Sequence, residues 1–289
     1  MLAFITSLRH PDNAENYRRI EDLLQETLMS ISQQSVSDHV TIIVGNRTPS
    51  FPLPPQVHYV NVDFPPPARA DGPHADRTGF VLDKGSKIGV GLLAAREFDP
   101  DMVMIFDADD FVSRDIVSYV RERPRGDGWY VSQGWIYSRA RNGYRKQDNF
   151  HRTCGTSYIV PYDVYQVPPE LDASATQDQV VEAYGDVLTN IMGAHRHAVQ
   201  WHLERGRRLR PLPFRAAVYH VDTGENHSRK VLPGIIRPWS RRFQRQYAIS
   251  PQYPFLPIVW KCWNPLAASE TLRIAARRTL KRIKDARRG

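Results

Sequence analysis

Apolar and polar positions along the first 110 residues follow two alternating periods. Residues 3–8, 40–44 (VTIIV) and 102–106 (MVMIF) are short, almost continuous apolar runs. Runs of this kind predict strands buried on both faces of a sheet. Between the first two, Tyr17, Ile20, Leu24, Leu28 and Ile31 recur at helical spacing within 12–34. Residues 57–62 predict another strand, and 64–79, with three consecutive prolines and no periodicity, predict a loop. Residues 83–98 predict a helix with Asp83 as its N-cap. Strand, helix, strand, strand, helix, strand implies an α/β layer architecture with a mostly parallel sheet.

After residue 110 the pattern changes. Residues 129–137 (WYVSQGWIY) and 156–160 predict strands, 176–192 and 195–205 predict helices, and 215–220 predict a last short strand. No internal repeat occurs. The second half reads as an α+β elaboration on the first, not as a separate module.

Composition narrows the function classes. The 289 residues are 41% hydrophobic and 24% charged, enough apolar material for a sizeable core, which excludes a disordered tail protein. Two cysteines, Cys154 and Cys262, leave no disulfide framework. No apolar run approaches the ~18 residues of a spanning helix. The opening strand is followed by Arg9-His10-Pro11 and does not read as an export signal. The expected location is therefore cytoplasmic, or peripheral on the inner face of a membrane. Net charge is +8, but residues 1–195 carry 18 basic against 26 acidic side chains, whereas 196–268 carry 13 against 3. The last 21 residues carry 8 against 2. That asymmetry is not the footprint of a uniformly basic nucleic-acid binder, and no nucleic acid is expected as a partner.

Candidate chemistry gathers where the apolar run 102–106 ends, at Asp107-Ala108-Asp109-Asp110. A D-x-D pair alone means little, since Asp99-Pro100-Asp101 is another. Position raises the first above the second, because ligands of parallel sheets bind beyond the carboxyl ends of the strands. Three carboxylates in four residues repel one another unless a cation lies between them. An acidic cap on a helix at 113–121 is the plain alternative. A calcium EF-hand loop is excluded, because Phe111 takes the third ligand position and the turn glycine is missing. His220 ends the last predicted strand, where the chain can return to the same edge. Carboxylate oxygens with one imidazole suit Mn²⁺ or Mg²⁺.

In order and type these features resemble the GT-A glycosyltransferases, and among them the family 2-like bacterial enzymes, over roughly residues 1–230. The resemblance implies a GT-A-type, Rossmann-like sheet in which 1–110 is the nucleotide-sugar-binding half and 111–230 the acceptor-side half. Residues 231–289 are an aromatic and basic extension ending in an amphipathic helix. By resemblance Asp107 contacts the ribose or sugar and shares the metal site, Asp109 ligates the cation, and His220 completes the set. Thr6, Ser7 and Arg9 end the first strand, which holds the nucleotide, and Asn46 ends the second. Lys84 and Lys87 precede the acidic strand, where related enzymes contact sugar or phosphates. Gly224 to Lys230, with His227, is a candidate lid.

The family's Glu-Asp pair, which supplies the catalytic base, is replaced here by Ala194-His195. His195 is a candidate base, with Asp178 and Asp186 as rivals, and inversion or retention stays open. The expected function is metal-dependent transfer of a sugar, of hexosyltransferase type, from a nucleoside-diphosphate sugar to a glycan or lipid-linked acceptor. Surface polysaccharide or glycolipid synthesis is the setting such a reaction fits. A sugar nucleotidyltransferase would want a glycine-rich loop after the first strand, which Ser7-Leu8-Arg9-His10-Pro11 lacks. An oxidoreductase is disfavoured because Gly89-Val90-Gly91 lacks a third glycine. The alternative from another class is a non-catalytic protein that binds anionic lipid or nucleic acid through its basic C-terminal third.

In that third, residues 269–289 place Leu272, Ala276, Leu280 and Ile283 on one helical stripe among eight basic residues. The pattern predicts an amphipathic helix that docks on an anionic membrane surface or a partner, the alternative being a stripe that packs on the domain with its charged face in solvent. Trp201, Trp239, Tyr247, Trp260 and Trp263 read as core and acceptor-site residues.

Overall fold

A seven-stranded sheet and a five-stranded sheet share one acidic connection in the computed structural model, which describes residues 1–68, 77–225 and 230–286. The chain opens with β1 (Leu2–Ser7), α1 (Tyr17–Ser32), β2 (His39–Gly45), β3 (Val57–Asn61), α2 (Thr78–Ala95) and β4 (Met102–Ile105). Strands β3, β2, β1 and β4 lie side by side and parallel. Alternation along β1 explains why both faces are covered. Leu2 and Phe4 join a core that includes Leu24 and Leu28 of α1, while Ala3 and Ile5 join the opposite core with Ile88 and Leu92 of α2. A Cβ at Gly91 would lie 2.5 Å from Ile5, so α2 approaches the sheet as closely as it does because that position has no side chain.

Beyond β4 come β5 (Phe111–Val112), α3 (Ile116–Arg121), β6 (Trp129–Tyr130), β7 (Gln133–Ser138), β8 (Gly143–Asp148) and β9 (Tyr158–Pro161). Strand β9 runs antiparallel to β4 and carries β6, and β10 (Arg210–Pro211) closes that edge. The fold is thus a mixed α/β layer whose central sheet is mostly parallel. The second sheet, in the order β12, β8, β7, β11, β5, uses β11 (Ala217–Val221) and β12 (Arg237–Pro238).

The aromatic run 129–137, expected as one strand, divides at Val131 and Ser132. Its first part pairs in the large sheet and its second in the small one. Letters suited to a buried strand fit either sheet, so periodicity does not reveal the switch. Asp83 is not an N-cap: α2 begins five residues earlier, and Asp83 is buried inside it with Lys87 one turn on. The loop expected over 64–79 is described only at 64–68, 77 and the start of α2; residues 69–76 lie outside the described residues. Helix α4 (Gln177–Val187) is broken at Gly185 and continues as one wide turn, Leu188–Met192, before α5 (Ala198–Glu204).

The C-terminal segment forms α6 (Arg241–Tyr247), α7 (Phe255–Trp263) and α8 (Pro265–Ala286). Trp201 and Tyr247 are buried as expected, whereas Trp260 and Trp263 stand exposed and belong to no core. Leu272 and Leu280 of the expected stripe are exposed too. Among the described residues no helix is long and apolar enough to cross a membrane.

Candidate active site

Parallel pairing brings the carboxyl ends of β1, β2 and β4 to one edge. Phe106 N–H donates to the Ile5 carbonyl and Leu8 N–H to that of Val44, so both connections leave the sheet together. The acidic turn follows at once, closed by a 3.0 Å bond from Asp110 N–H to the Asp107 carbonyl. Helix α1 grips it from one side, since Thr27 Oγ1 donates to the Ala108 carbonyl at 3.0 Å and Ser30 Oγ accepts from Val112 N–H at 3.1 Å.

The three carboxylates have different partners. Asp110 is fully buried: Oδ2 accepts from Thr156 Oγ1 at 2.6 Å and Cys154 Sγ at 2.9 Å, and Oδ1 accepts from His220 N–H at 3.0 Å. It therefore ties the large sheet to β11 of the small one. Burial and its two acidic neighbours push its pKa well up. Asp107 is held by an ion pair with Lys84 and by Gly155 N–H at 3.1 Å. Burial opposes its ionisation, but the Lys84 ammonium, His195 and the Gly155 N–H together outweigh that and hold its carboxyl below the usual range. Asp109 is pushed up to about 7 by burial and by the Asp107 charge.

Three residues that the sequence did not single out as ligands complete this arrangement: Cys154, Gly155 and Thr156. They sit in an aperiodic stretch between strands, where no spacing signals contact with a site 44 to 48 residues away. Asp107, Asp110 and Cys154 each place one ligand atom within 4.8 Å of the other two, a grouping that could hold an ion. The chemistry within it is uneven. Burial and the adjacent carboxylates push the Cys154 thiol well up, so it stays protonated and donates to Asp110. Asp110 already accepts three protein donors. Asp107 and Asp109 carry the mutual repulsion that a hard cation would relieve, and oxygen donors of this kind fit Mn²⁺ or Mg²⁺.

His220 reaches the backbone of the acidic turn, and neither it nor Asp109 belongs to that grouping. Its ring Nδ1 lies 3.1 Å from the Asp109 carbonyl oxygen, and the ring packs 5.1 Å from Phe111 and 5.4 Å from Tyr137. Burial and the Arg139 charge keep the imidazole neutral, with its pKa well below the ordinary value. His195 comes near Asp107 and Lys84. It lines a small pocket with Lys84, Gly155 and Tyr158, and the Tyr158 hydroxyl donates to its carbonyl at 2.9 Å. Burial pushes the His195 imidazole down to about 4, with Asp107 acting in the other direction.

Other candidates fall into different places. Arg9 donates to Glu225 Oε2 at 2.8 Å, and Asn16 N–H donates to Oε1 of the same carboxylate at 2.8 Å. The segment after β11 is thereby clamped to the end of β1 and the start of α1. Ser7 is half-buried at the end of β1, whereas Thr6 is fully buried opposite Ile43. Asn46 bridges to the carbonyls of Val62 and Phe64 at 3.1 and 2.9 Å. Lys87 is fully buried, donating to Asp83 and to the Leu8 carbonyl at 3.0 Å, and so braces the strand end from behind. Asp178 and Asp186 are exposed on α4, and Asp186 pairs with Arg205. The structure does not bring either to the acidic turn. His227 and the middle of the candidate lid, 226–229, lie outside the described residues.

No protein-family model matches this chain, and no curated protein matches it. Among solved structures it is similar to S. aureus TarS, at 12% identity and a TM-score of 0.31, over 76% of this chain and 36% of that one. The chain thus spans about a third of the length of TarS. It is also similar to the galactosyltransferase LgtC in complex with donor and acceptor sugar analogs, at 14% identity and a TM-score of 0.29, over 77% of this chain and 73% of that one.

Proposed function

We propose that this chain is a metal-dependent glycosyltransferase of GT-A type, which moves a sugar from a nucleoside-diphosphate sugar to a glycan or lipid-linked acceptor. One observation carries the reading. At the carboxyl edge of a mostly parallel sheet, two mutually repelling carboxylates, Asp107 and Asp109, stand near one lysine, with His220 against the backbone of the acidic turn and His195 in a pocket with that lysine. In this reading residues 1–230 form the transferase and 231–289 an extension.

Cleavage of the sugar–phosphate bond leaves negative charge on the departing diphosphate and oxocarbenium character on the sugar. A divalent cation held by Asp107 and Asp109, with His220 beside them, would supply Lewis-acid neutralisation of that charge. Lys84 is already oriented by Asp107 and adds a fixed positive charge at the same edge. Ser7 and Arg9, at the end of β1, would meet the nucleoside in this reading, with Arg9 held by Glu225. His195 is the residue proposed to receive the acceptor's proton. It is held neutral next to the carboxylates, as a proton acceptor must be, whereas Asp178 and Asp186 are remote on the surface.

Calorimetric titration of UDP and GDP, with Mn²⁺ and then with EDTA, tests the reading on the wild type and on Asp109→Ala. Metal-dependent binding of one nucleotide, lost in the variant, is expected. Binding indifferent to EDTA and to the substitution would remove the metal role, and absence of binding by any nucleoside diphosphate would overturn the transferase.

A further inference from the structure

Helix α7 has two faces that do opposite things. Ile258 and Cys262, one turn apart, are fully buried, and Arg141 donates to the carbonyls of Lys261 and Cys262 at 2.9 and 3.1 Å. The helix is therefore firmly seated on the small sheet. On the other face Leu256 and Trp260, also one turn apart, are 79% and 66% exposed, with Phe255, Trp263 and then Leu266 of α8 exposed beside them. Large apolar side chains grouped in this way, on a helix already anchored by its other face, mark a surface meant to be covered.

Charge complementarity identifies the cover. Residues 255–289 contain nine Lys and Arg against two acidic residues. Trp263 also borders a cleft of about 460 Å³ lined by Tyr144, Arg145, Lys146, Ile235 and Arg237. An aromatic and aliphatic ridge beside a basic cleft and a basic helix matches an anionic bilayer. Trp, Phe and Leu enter the boundary between headgroups and acyl chains, while lysines and arginines meet the phosphates. A second copy of the chain would oppose the same excess of positive charge to itself. Nucleic acid would satisfy the cations and leave Leu256 and Phe255 without a counterpart.

We propose that the exposed face of α7, with the basic cleft beside Trp263, docks this protein on an anionic lipid surface. The anchor is thus α7 and its junction with α8, upstream of the helical stripe that the sequence alone points to. The proposal does not depend on the transferase reading, because its readout is binding to lipid.

The experiment is co-sedimentation of the full chain with extruded vesicles of phosphatidylcholine, with and without phosphatidylglycerol, at low and high salt. Three proteins are compared: wild type, Leu256→Ser/Trp260→Ser, and Lys146→Ala/Arg237→Ala. All changed side chains are exposed, and circular dichroism checks that each protein is folded. Binding to the phosphatidylglycerol vesicles alone is expected, lost at high salt. The apolar pair should weaken it about tenfold or more, and the basic pair should weaken it with a reduced salt dependence. No binding to anionic vesicles, or binding unmoved by the Leu256 and Trp260 changes, overturns the proposal. So does self-association abolished by that pair, or a duplex oligonucleotide that displaces the vesicles and binds the apolar variant undiminished.

Discussion

At the scale of single residues the acidic turn divides its labour by what each carboxylate touches. Asp110 is a structural tie, Asp107 a charge already answered by Lys84, and Asp109 a charge raised in energy by its neighbour. Replacing Asp109 with Asn removes that repulsion. The metal-free variant should unfold at a higher temperature than the wild type. Added Mn²⁺ should raise the midpoint of the wild type and leave the variant unmoved, which differential scanning fluorimetry would show. A midpoint that falls in the metal-free variant would mean that Asp109 is stabilised by its site. Gly155 gives a second test. A methyl group there would sit 2.6 Å from Asp107 Oδ2, so either the loop or the carboxylate must move. Misplacement by about 1 Å at a reacting centre can reduce turnover by about a hundredfold. Gly155→Ala should therefore keep its circular dichroism and lose most of its metal-dependent nucleotide binding in calorimetry.

At the scale of elements, α2 contributes more than a cover for the sheet. Its buried Lys87–Asp83 pair, one turn apart, reaches the Leu8 carbonyl and fixes where β1 ends. Breaking a buried pair strands the remaining charge and costs about 3–5 kcal/mol, whereas removing both partners costs less. Urea denaturation of Lys87→Met, Asp83→Leu and the double variant should therefore show a double substitution milder than the two single ones added together. Additive losses would mean that the two groups act independently. This pair also shows where sequence reading stops. The apolar runs at 40–44 and 102–106 predicted β2 and β4 because a strand buried on both faces has no polar alternation to obscure it. Asp83 looked like a cap because an acid before a helical pattern usually is one, and only the packing shows that the helix begins at Thr78. That 107–110 forms a turn at the carboxyl edge of the sheet was legible from its position after a strand. The Cys154–Thr156 contact and the Arg9–Glu225 clamp were not, since both join aperiodic segments far apart in the chain. Trp260 and Trp263, read as core and acceptor-site residues, stand exposed, and composition does not say which face of a helix lacks a neighbour.

At the scale of the whole molecule, the acidic residues 1–195 hold most of the candidate site, and the basic remainder adds His220 to it and also carries the exposed α7 and α8. Within the basic part, one buried hydrogen bond depends on a neutral imidazole. His202 of α5 is buried, and its Nδ1 accepts from Arg207 Nε at 3.2 Å, a bond that exists only while that nitrogen keeps its lone pair. Burial and the charges of Arg207 and Arg205 push its pKa down to about 4. The sign of the effect follows. In the unfolded chain the imidazole binds a proton near pH 6.5, and in the folded protein not until about pH 4, so between these values the unfolded state holds more protons. Stability from this residue is complete above about pH 6.5 and is lost as the pH falls toward 4, by at most about 3 kcal/mol for a shift of this size. His202→Asn keeps an acceptor near the Nδ1 position and cannot titrate. Thermal unfolding followed from pH 7.5 to pH 5 should show the wild type losing more of its midpoint than the variant, with the two curves converging at the neutral end if Asn accepts from Arg207 as His202 does. Parallel curves over the whole range would place the acid sensitivity elsewhere, with His39 and His151, both also held below the ordinary value by burial, as the next groups to replace.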